Sequence, residues 1–143
     1  MEKKEPKIKI YVSCHKESYI PDNKLLYPIQ VGTALAEKKL QGMLYDNEGD
    51  NISAKNKQYC ELTAQYWAWK NLDADYVGLV HYRRHFTVAK RIRRLKGKEK
   101  FPMVLSKDET ERILKQYDLI LPNKRKYYIE SIRSHFLHLP YTY

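Results

Sequence analysis

The charged residues that follow one apolar segment have the chemistry of a phosphate site. His81, Arg83 and Arg84 come directly after residues 76–80, an apolar run that predicts a β-strand covered on both faces. Ligands of open α/β sheets bind at the carboxyl ends of the strands, and arginine forms paired hydrogen bonds with phosphate oxygens. The sequence therefore predicts a site for a phosphate-bearing ligand at this strand end. A surface ion-pair patch is the alternative interpretation.

A helix rich in aromatic residues is predicted before that strand. It would begin at Ser53 or Asn56 as its cap and run to about Asn71. An aromatic stripe at helical spacing is more often part of a core than of a binding site, so we expect it to pack against the sheet. The stripe consists of Tyr59, Leu62, Tyr66 and Trp69 or Lys70, with Cys60, Thr63 and Trp67 widening the apolar face.

One carboxylate lies within this predicted helix. Glu61 is surrounded by residues expected to be buried, where an unpaired carboxylate is costly. A cation is therefore expected beside it, and Arg83 or Arg84 is the predicted partner.

Two aspartates separate the helix from the strand. Asp73 and Asp75 form a DxD pair, which in metal-dependent sugar-nucleotide transferases binds a divalent ion at the end of a strand. Here the pair precedes its strand, so we expect it at the opposite edge of the sheet. The prediction is a turn and not a metal site.

The rest of the chain predicts alternating strands and helices, which indicates an α/β fold. Residues 7–14 alternate like a first strand, and residues 117–122 read as a short buried strand. Between them, Pro21 and Pro28 indicate a surface loop that leads to a short helix at about residues 33–39. Ser106 and Glu109 form a capping box for a helix at about residues 107–116.

Length and charge bound the class of protein. A chain of 143 residues predicts a single domain, residues 1–143. The net charge of +10 is local, because residues 83–100 carry nine basic residues and one acidic residue, leaving +2 for the remainder. Such a segment suits phosphates or peripheral contact with an anionic membrane. A nucleic-acid-binding module is the alternative, but the aromatics follow helical spacing and not the sheet-face pattern of RNA readers.

The two cysteines and the amino terminus indicate the compartment. Cys14 and Cys60 lie far apart with no CxxC spacing, so reduced thiols in a cytoplasmic protein are expected. The first seven residues are charged and lack the apolar core of a signal peptide.

The segment DNEGDNIS followed by KNKQYCELTAQYWAWKNLDADYVGLVHYRRHF resembles an uncharacterised family of bacterial capsular and exopolysaccharide biosynthesis proteins, regarded as glycosyltransferases. The resemblance extends from KIKIYVSCHK through YDLILP to SHFLH. Family members continue past the end of this sequence, so the chain is expected to be an N-terminal portion or a shortened copy, with a domain incomplete at its carboxyl terminus. An inactive remnant that binds a partner is the alternative which this shortness raises.

The resemblance implies a GT-A-like, Rossmann-like domain that binds a nucleotide-diphosphate sugar, with a UDP-sugar favoured. The acceptor would be a glycan or lipid-linked glycan, and the protein would work in the cytoplasm or peripherally at the inner face of the membrane. In this interpretation His81, Arg83 and Arg84 stabilise the leaving diphosphate where other GT-A enzymes carry DxD. No cofactor is then required, although manganese or magnesium stays the alternative.

The resemblance also implies roles for the polar segment before the helix. An inverting transferase needs a general base, and Asp50 is the predicted catalytic residue, with Asp46 as the second candidate. Asp50 could equally bind the ribose or uracil of the donor. Asn51 and Lys55 are expected to contact the donor, Lys55 as a point charge for phosphate. Asp46, Asn51, Lys55, Glu61, His81, Arg83 and Arg84 make up the predicted substrate-binding set.

Overall fold

The computed structural model describes residues 5–71, 73–88 and 101–124. Within them a four-stranded sheet has the order β3-β2-β1-β4, and every pairing is parallel. The strands are β1 (Ile8–Cys14), β2 (Leu26–Gln30), β3 (Leu44–Tyr45) and β4 (Tyr76–His81). The predicted α/β class is confirmed. This order is that of the first four strands of a Rossmann sheet.

β1 lies between β2 and β4, and its side chains alternate between two apolar cores. Ile8, Ile10 and Val12 face one core, while Tyr11 faces the other. Both neighbours of β1 are parallel strands, so both of its faces must be covered. The first predicted strand is confirmed to within one residue.

β2 lies where the sequence indicated a loop. Pro28 lies within β2, although proline cannot donate a ladder hydrogen bond. The N–H of Ile10 donates to the carbonyl of Leu25, so the odd-numbered residues of β2 turn their backbone groups towards β1. Pro28 therefore directs its nitrogen to the β3 side, where the register begins only at Ile29 opposite Leu44. The missing donor leaves no gap in the ladder, and the loop prediction was wrong here.

Two helices cover the two faces of the sheet. Helix α2 (Leu62–Asn71) packs Ala64, Trp67 and Ala68 onto the face of Tyr11 and Ile29. Helix α3 (Lys107–Leu114) covers the other face through Leu114. The capping box predicted for α3 is present, with Ser106 and Glu109 bonding to each other's backbone N–H groups.

The predicted aromatic helix is broken, and it packs through a different face. A 3₁₀ turn (Ser53–Lys55) and α1 (Asn56–Tyr59) precede α2. Neither begins with a side-chain cap hydrogen bond, so the helix cap predicted at Ser53 or Asn56 is absent. The break falls at Cys60, whose positive φ of 48° a helix cannot contain. Thr63 and Trp67, at the margin of the predicted apolar face, are buried as expected. The central stripe instead points outwards, because the small side chains of Ala64 and Ala68 let the neighbouring face approach the sheet. Its exposed members are Tyr59, Leu62 and Trp69, with Tyr66 partly buried.

Three further expectations need correction. β4 is a strand, but Val77 is 49% exposed, so the strand is not covered on both faces in the described residues. Residues 117–122 form no strand, and Leu119 and Leu121 are exposed. The helix predicted at residues 33–39 is a single 3₁₀ turn, Thr33–Leu35.

Some predictions lie outside the described residues. They concern most of the basic segment, at residues 89–100, and the SHFLH end of the resemblance, at residues 134–138. In the part of the chain that the structure describes, no helix is long and apolar enough to cross a membrane.

Candidate functional site

The candidate site lies where the strand order reverses. β1 connects to β2 on one side, whereas β4 lies on the other side, so the carboxyl ends of β1 and β4 flank the switch point at which α/β proteins bind ligands. His15 follows β1 and His81 ends β4, and their ring centroids are 6.3 Å apart. The ring of Tyr82 lies beside both, 5.3 Å from His15 and 4.2 Å from His81.

The tip of β4, residues 81–84, is held by a tight turn. The N–H of Arg84 donates to the carbonyl of His81 at 2.8 Å, and the N–H of Arg83 donates to Nδ1 of His81 at 3.2 Å. The Arg83 guanidinium lies 5.4 Å from the Tyr82 ring centroid, a cation–π contact. Both arginine side chains are exposed. In the described residues no carboxylate lies within ion-pairing distance of either guanidinium.

Glu61 reaches this tip, but its partner is not the one predicted. Its Oε1 lies 3.7 Å from Nε2 of His81, and no ion pair with Arg83 or Arg84 is present. We call the side of the sheet at which the strands end the carboxyl edge, and the side at which they begin the amino edge. The break at Cys60 places Glu61 just before α2, at the end of that helix which faces the carboxyl edge. The side chain of Asn56 fixes this turn by donating to the Cys60 carbonyl at 2.7 Å. Glu61 keeps 47% of its side chain exposed.

The surroundings of His81 favour its neutral form. Burial lowers the pKa of His81, Glu61 opposes this by attraction, and the charges of Arg83 and Arg84 add to the lowering. Nδ1 accepts a hydrogen bond from a backbone N–H, which requires that nitrogen to be unprotonated. The proton of the neutral ring is thus on Nε2, facing Glu61.

Asp46 is the hub that joins the loops of the carboxyl edge. It follows β3, is fully buried, and accepts hydrogen bonds from two backbone N–H groups and two hydroxyl groups. The donors are Gly32 N at 2.8 Å, Thr33 N at 2.9 Å, Ser53 Oγ at 2.6 Å and Thr63 Oγ1 at 2.6 Å. These bonds connect the ends of β2 and β3 to α2. Asp46 is therefore placed to hold the loops around the site in position. Its predicted contact with substrate stays a prediction.

Asp50 lies away from the tip. Its carboxylate accepts from the hydroxyl of Tyr66 at 3.1 Å, and its backbone pairs with the side chain of Asn71, the last residue of α2. Glu61 lies at the opposite end of this ten-residue helix, and ten residues span about 15 Å. The structure therefore does not bring Asp50 together with His81.

Asn51 and Lys55 also have defined places. The side chain of Asn51 donates to the Gly49 carbonyl and accepts from the Ser53 N–H, so it closes a local turn. Lys55 is exposed in the 3₁₀ turn beside the Asp46 hub. Their predicted contacts with the donor are not tested by these positions.

The DxD pair lies at the opposite edge, as predicted. Oδ2 of Asp73 is 2.7 Å from Nζ of Lys7, and Asp75 accepts from the backbone N–H of Lys7 at 2.7 Å. Both aspartates precede β4 and stabilise the start of β1. Among the described residues no group of three or more histidine, cysteine, aspartate or glutamate side chains is placed to hold a metal ion. Metal-independent transfer stays a prediction.

An open cavity of about 470 Å³ extends the site along the carboxyl edge. His15 and Lys16 from the end of β1 line it, together with Gln30 from the end of β2 and Lys38. The Gln30 amide is held at both ends, because it donates to the Lys38 carbonyl and accepts from the Leu40 N–H. The cavity thus has a fixed wall and a lining of mixed charge, because Glu17 and Glu37 also line it and Glu17 lies 4.0 Å from Lys38.

The sequence matches a known family over almost its whole length. The model of DUF4422, described as a domain of unknown function, matches residues 9–142. The chain belongs to the DUF4422 family. No curated protein matches the DUF4422 chain significantly.

A solved structure extends this comparison. The DUF4422 chain is similar to the apo structure of WbbM, a bifunctional glycosyltransferase, with 36% identity and a TM-score of 0.67. The match covers 77% of this chain and 21% of that one, so the chain spans about a fifth of the length of WbbM. The predicted GT-A-like, Rossmann-like α/β fold is confirmed, as is the relation to a glycosyltransferase family.

Sequence reasoning gave too little importance to two residues. His15 is absent from the predicted substrate-binding set, yet its ring faces that of His81 across the switch point. Only the pairing of β4 beside β1 brings the two together. The hub role of Asp46 was not foreseen either, because its donors lie 7 to 17 residues away in the sequence.

Proposed function

We propose that this chain forms the donor-binding region of a glycosyltransferase that uses a nucleotide-diphosphate sugar, with a UDP-sugar favoured. The acceptor is a surface polysaccharide or its lipid-linked precursor, met at the cytoplasmic side of the membrane. The observation that carries the proposal is the pair Arg83 and Arg84, which are exposed at the switch point and lack a carboxylate partner among the described residues. The similarity to WbbM supports it.

The chemistry needs charge stabilisation at the leaving group. The bond between the anomeric carbon and the diphosphate oxygen breaks, its electron pair leaves with the diphosphate, and an acceptor hydroxyl oxygen forms the new bond to that carbon. Arg83 and Arg84 supply fixed positive charge where the negative charge develops. His15 and Lys16 are placed to bind further polar groups of the donor in the neighbouring cavity.

The acceptor proton requires a carboxylate near the tip. We assign this role to Glu61 in preference to Asp50, because Glu61 is half exposed and lies 3.7 Å from His81. Asp50 is held near Asn71, at the other end of α2. The Nε2–H of His81 faces the Glu61 carboxylate at 3.7 Å.

Calorimetric titration with UDP, UDP-sugars and a labelled single-stranded oligonucleotide tests the proposal. Since a hydrogen bond to a charged group contributes about 1.5–3 kcal/mol, Arg83→Ala and Arg84→Ala are each expected to weaken UDP binding about tenfold or more. Asp73→Ala is the matched control at the opposite edge and should bind like wild type.

Three results would contradict the proposal. Tight, salt-sensitive oligonucleotide binding without nucleotide-sugar binding would assign the chain to the nucleic-acid-binding class. Absence of any thermal stabilisation by nucleotides would indicate a remnant that binds a partner chain. Loss of binding in Asp73→Ala, together with a requirement for manganese, would restore the DxD interpretation.

A further inference from the structure

The backbone at Cys60 has a conformation that cysteine adopts only under constraint. Its φ of 48° and ψ of −127° are close to the first central position of a type II′ turn, about +60° and −120°, which glycine occupies readily and other residues at a cost. A strained residue persists only where its surroundings fix it, and such residues cluster at active sites. Glu61 comes next in the chain, so this turn decides where the proposed proton acceptor lies.

The side chain of Asn56 holds this turn. Its Nδ2 donates to the carbonyl of Cys60 at 2.7 Å and to the hydroxyl oxygen of Thr63 at 3.1 Å. Thr63 contacts the same carbonyl at longer distances, 3.3 Å from its backbone nitrogen and 3.1 Å from its hydroxyl oxygen. The two bonds from Asn56 need a side chain with two N–H donors, which an amide has and a carboxylate lacks.

The Asn56 amide is itself enclosed. A Cβ added to Gly32 would lie 2.7 Å from Cγ and from Oδ1 of Asn56, so the amide packs against a backbone that has room for it only because residue 32 is glycine. The N–H of Gly32 and the hydroxyl of Thr63 both donate to Asp46, at 2.8 Å and 2.6 Å. Asn56 therefore connects the Asp46 hub to the turn before Glu61.

We propose that Asn56 is a positioning residue of the site, because its amide holds the turn at Cys60 that places the Glu61 carboxylate 3.7 Å from His81. Glu61 is half exposed, so fixing its backbone removes conformations in which the carboxylate turns away from the tip. Asn56 acts through this turn and not by touching the substrate. The inference rests on the role proposed for Glu61, but the geometry can be measured without donor or acceptor.

NMR titration of His81 reports where the Glu61 carboxylate lies. Burial lowers the pKa of His81, the charges of Arg83, Arg84 and His15 add to the lowering, and the Glu61 carboxylate raises that pKa. In Asn56→Ala the carboxylate should move away, so the pKa of His81 should fall towards its value in Glu61→Gln. The imidazole signals of His81 are identified by their absence in His81→Gln.

Asn71 supplies a matched control at the other end of α2. Its Nδ2 also donates to two acceptors, the carbonyl of Asp50 at 2.7 Å and that of Trp67 at 2.9 Å. Asn71→Ala and Asn56→Ala thus remove the same kind of hydrogen bonds, and each should lower the melting temperature by a few degrees. The pKa of His81 should fall in Asn56→Ala and stay at its wild-type value in Asn71→Ala.

A second substitution separates the turn from the hub. Glycine adopts the conformation of residue 60 without strain, so the turn can form there without the Asn56 amide. Cys60→Gly, added to Asn56→Ala, should therefore restore at least half of the change in the pKa of His81. A pKa that stays low in this double variant would overturn the inference, because Asn56 would then act by a route other than the turn.

The remaining outcomes are equally decisive. An unchanged pKa of His81 in Asn56→Ala or in Glu61→Gln would overturn the inference, as would an equal fall in Asn71→Ala. Calorimetric titration with UDP tests the proposed function separately, and Asn56→Ala should bind UDP within about twofold of wild type. A larger loss would assign Asn56 to donor binding instead. Absence of UDP binding in wild type would contradict the proposed function whatever the titration of His81 shows.

Discussion

Both edges of the sheet carry charged residues and ion pairs, such as Lys38 with Glu17 at the carboxyl edge, but the carboxyl edge also carries an exposed arginine pair that no described carboxylate contacts. At the amino edge Lys7 pairs with Asp73, and Lys107 pairs with Glu5. At the carboxyl edge Arg83 and Arg84 are exposed, and no described carboxylate pairs with either.

This difference separates structural charges from charges available to a ligand. Surface ion pairs such as Lys7 with Asp73 join the starts of β1 and β4 and contribute little free energy. An exposed arginine pair beside a switch point has no such internal role. Asp46 is a fully buried carboxylate at that edge, and it accepts hydrogen bonds from backbone N–H and hydroxyl groups. It therefore holds the loops together without cancelling the positive charge of Arg83 and Arg84.

The largest effect is expected from removing the hub. Asp46→Ala leaves two backbone N–H groups and two hydroxyls without their acceptor, so it should lower the free energy of unfolding by about 3 kcal/mol or more. Urea unfolding measures the loss. Asp46→Asn keeps the shape and one acceptor oxygen, and should lose less.

Hydrogen exchange then sharpens the contrast between the edges. In Asp46→Ala the amides of Gly32 and Thr33 should lose protection, while the amide of Lys7, which donates to Asp75, should not. Equal loss of protection at both places would show that Asp46 supports the whole fold and not the carboxyl edge alone.

Local signals were the ones that the sequence carried reliably. The capping box of Ser106 and Glu109 lies within four residues, and it predicted α3 to within two residues. The alternation of β1 likewise fixed its bounds. The DxD pair could be placed at the amino edge from chain order alone, because the two aspartates come directly before β4 and so lie at the start of that strand.

Long-range contacts account for the predictions that failed. β2 is a strand because it pairs with β1, whereas Pro28 in the sequence indicates a loop. The face of α2 was misassigned because aromatic residues are usually buried, yet here the alanines allow close approach to the sheet. The separation of Asp50 from His81 depends on how the segment after β3 runs along α2, which no local pattern reveals.

A smaller effect is expected from pH, and it should come from the carboxyl edge. Burial lowers the pKa of His85, and it also lowers the pKa of His81. The unfolded chain, with histidine pKa values near 6.5, then binds more protons than the folded chain. Stability should therefore fall as the pH falls below about 6.5 through the lowered pKa values.

Calorimetric melting at pH 7 and pH 5 measures this. His85→Phe should reduce the difference in melting temperature more than His81→Gln does, because His85 is the more deeply buried ring. At the amino edge, pairing lowers the pKa of Glu5 and raises that of Lys7, so neither titrates in this range. An unchanged pH dependence in both histidine variants would contradict the assignment.

The smallest effect is expected at the amino edge. Asp73→Ala removes an exposed ion pair with Lys7, so the melting temperature should change by no more than a degree or two. UDP binding should be unaffected. A marked loss of stability would mean that this edge carries more of the fold than its exposure indicates.

The most direct test compares two double variants that remove the same charge from opposite edges. Arg83→Ala/Arg84→Ala removes the exposed pair of the carboxyl edge, and Lys7→Ala/Lys107→Ala removes two paired lysines at the amino edge. Calorimetric titration with UDP should show a loss of about a hundredfold or more in the first and wild-type affinity in the second. Equal affinities in the two variants would contradict a diphosphate site at the tip of β4.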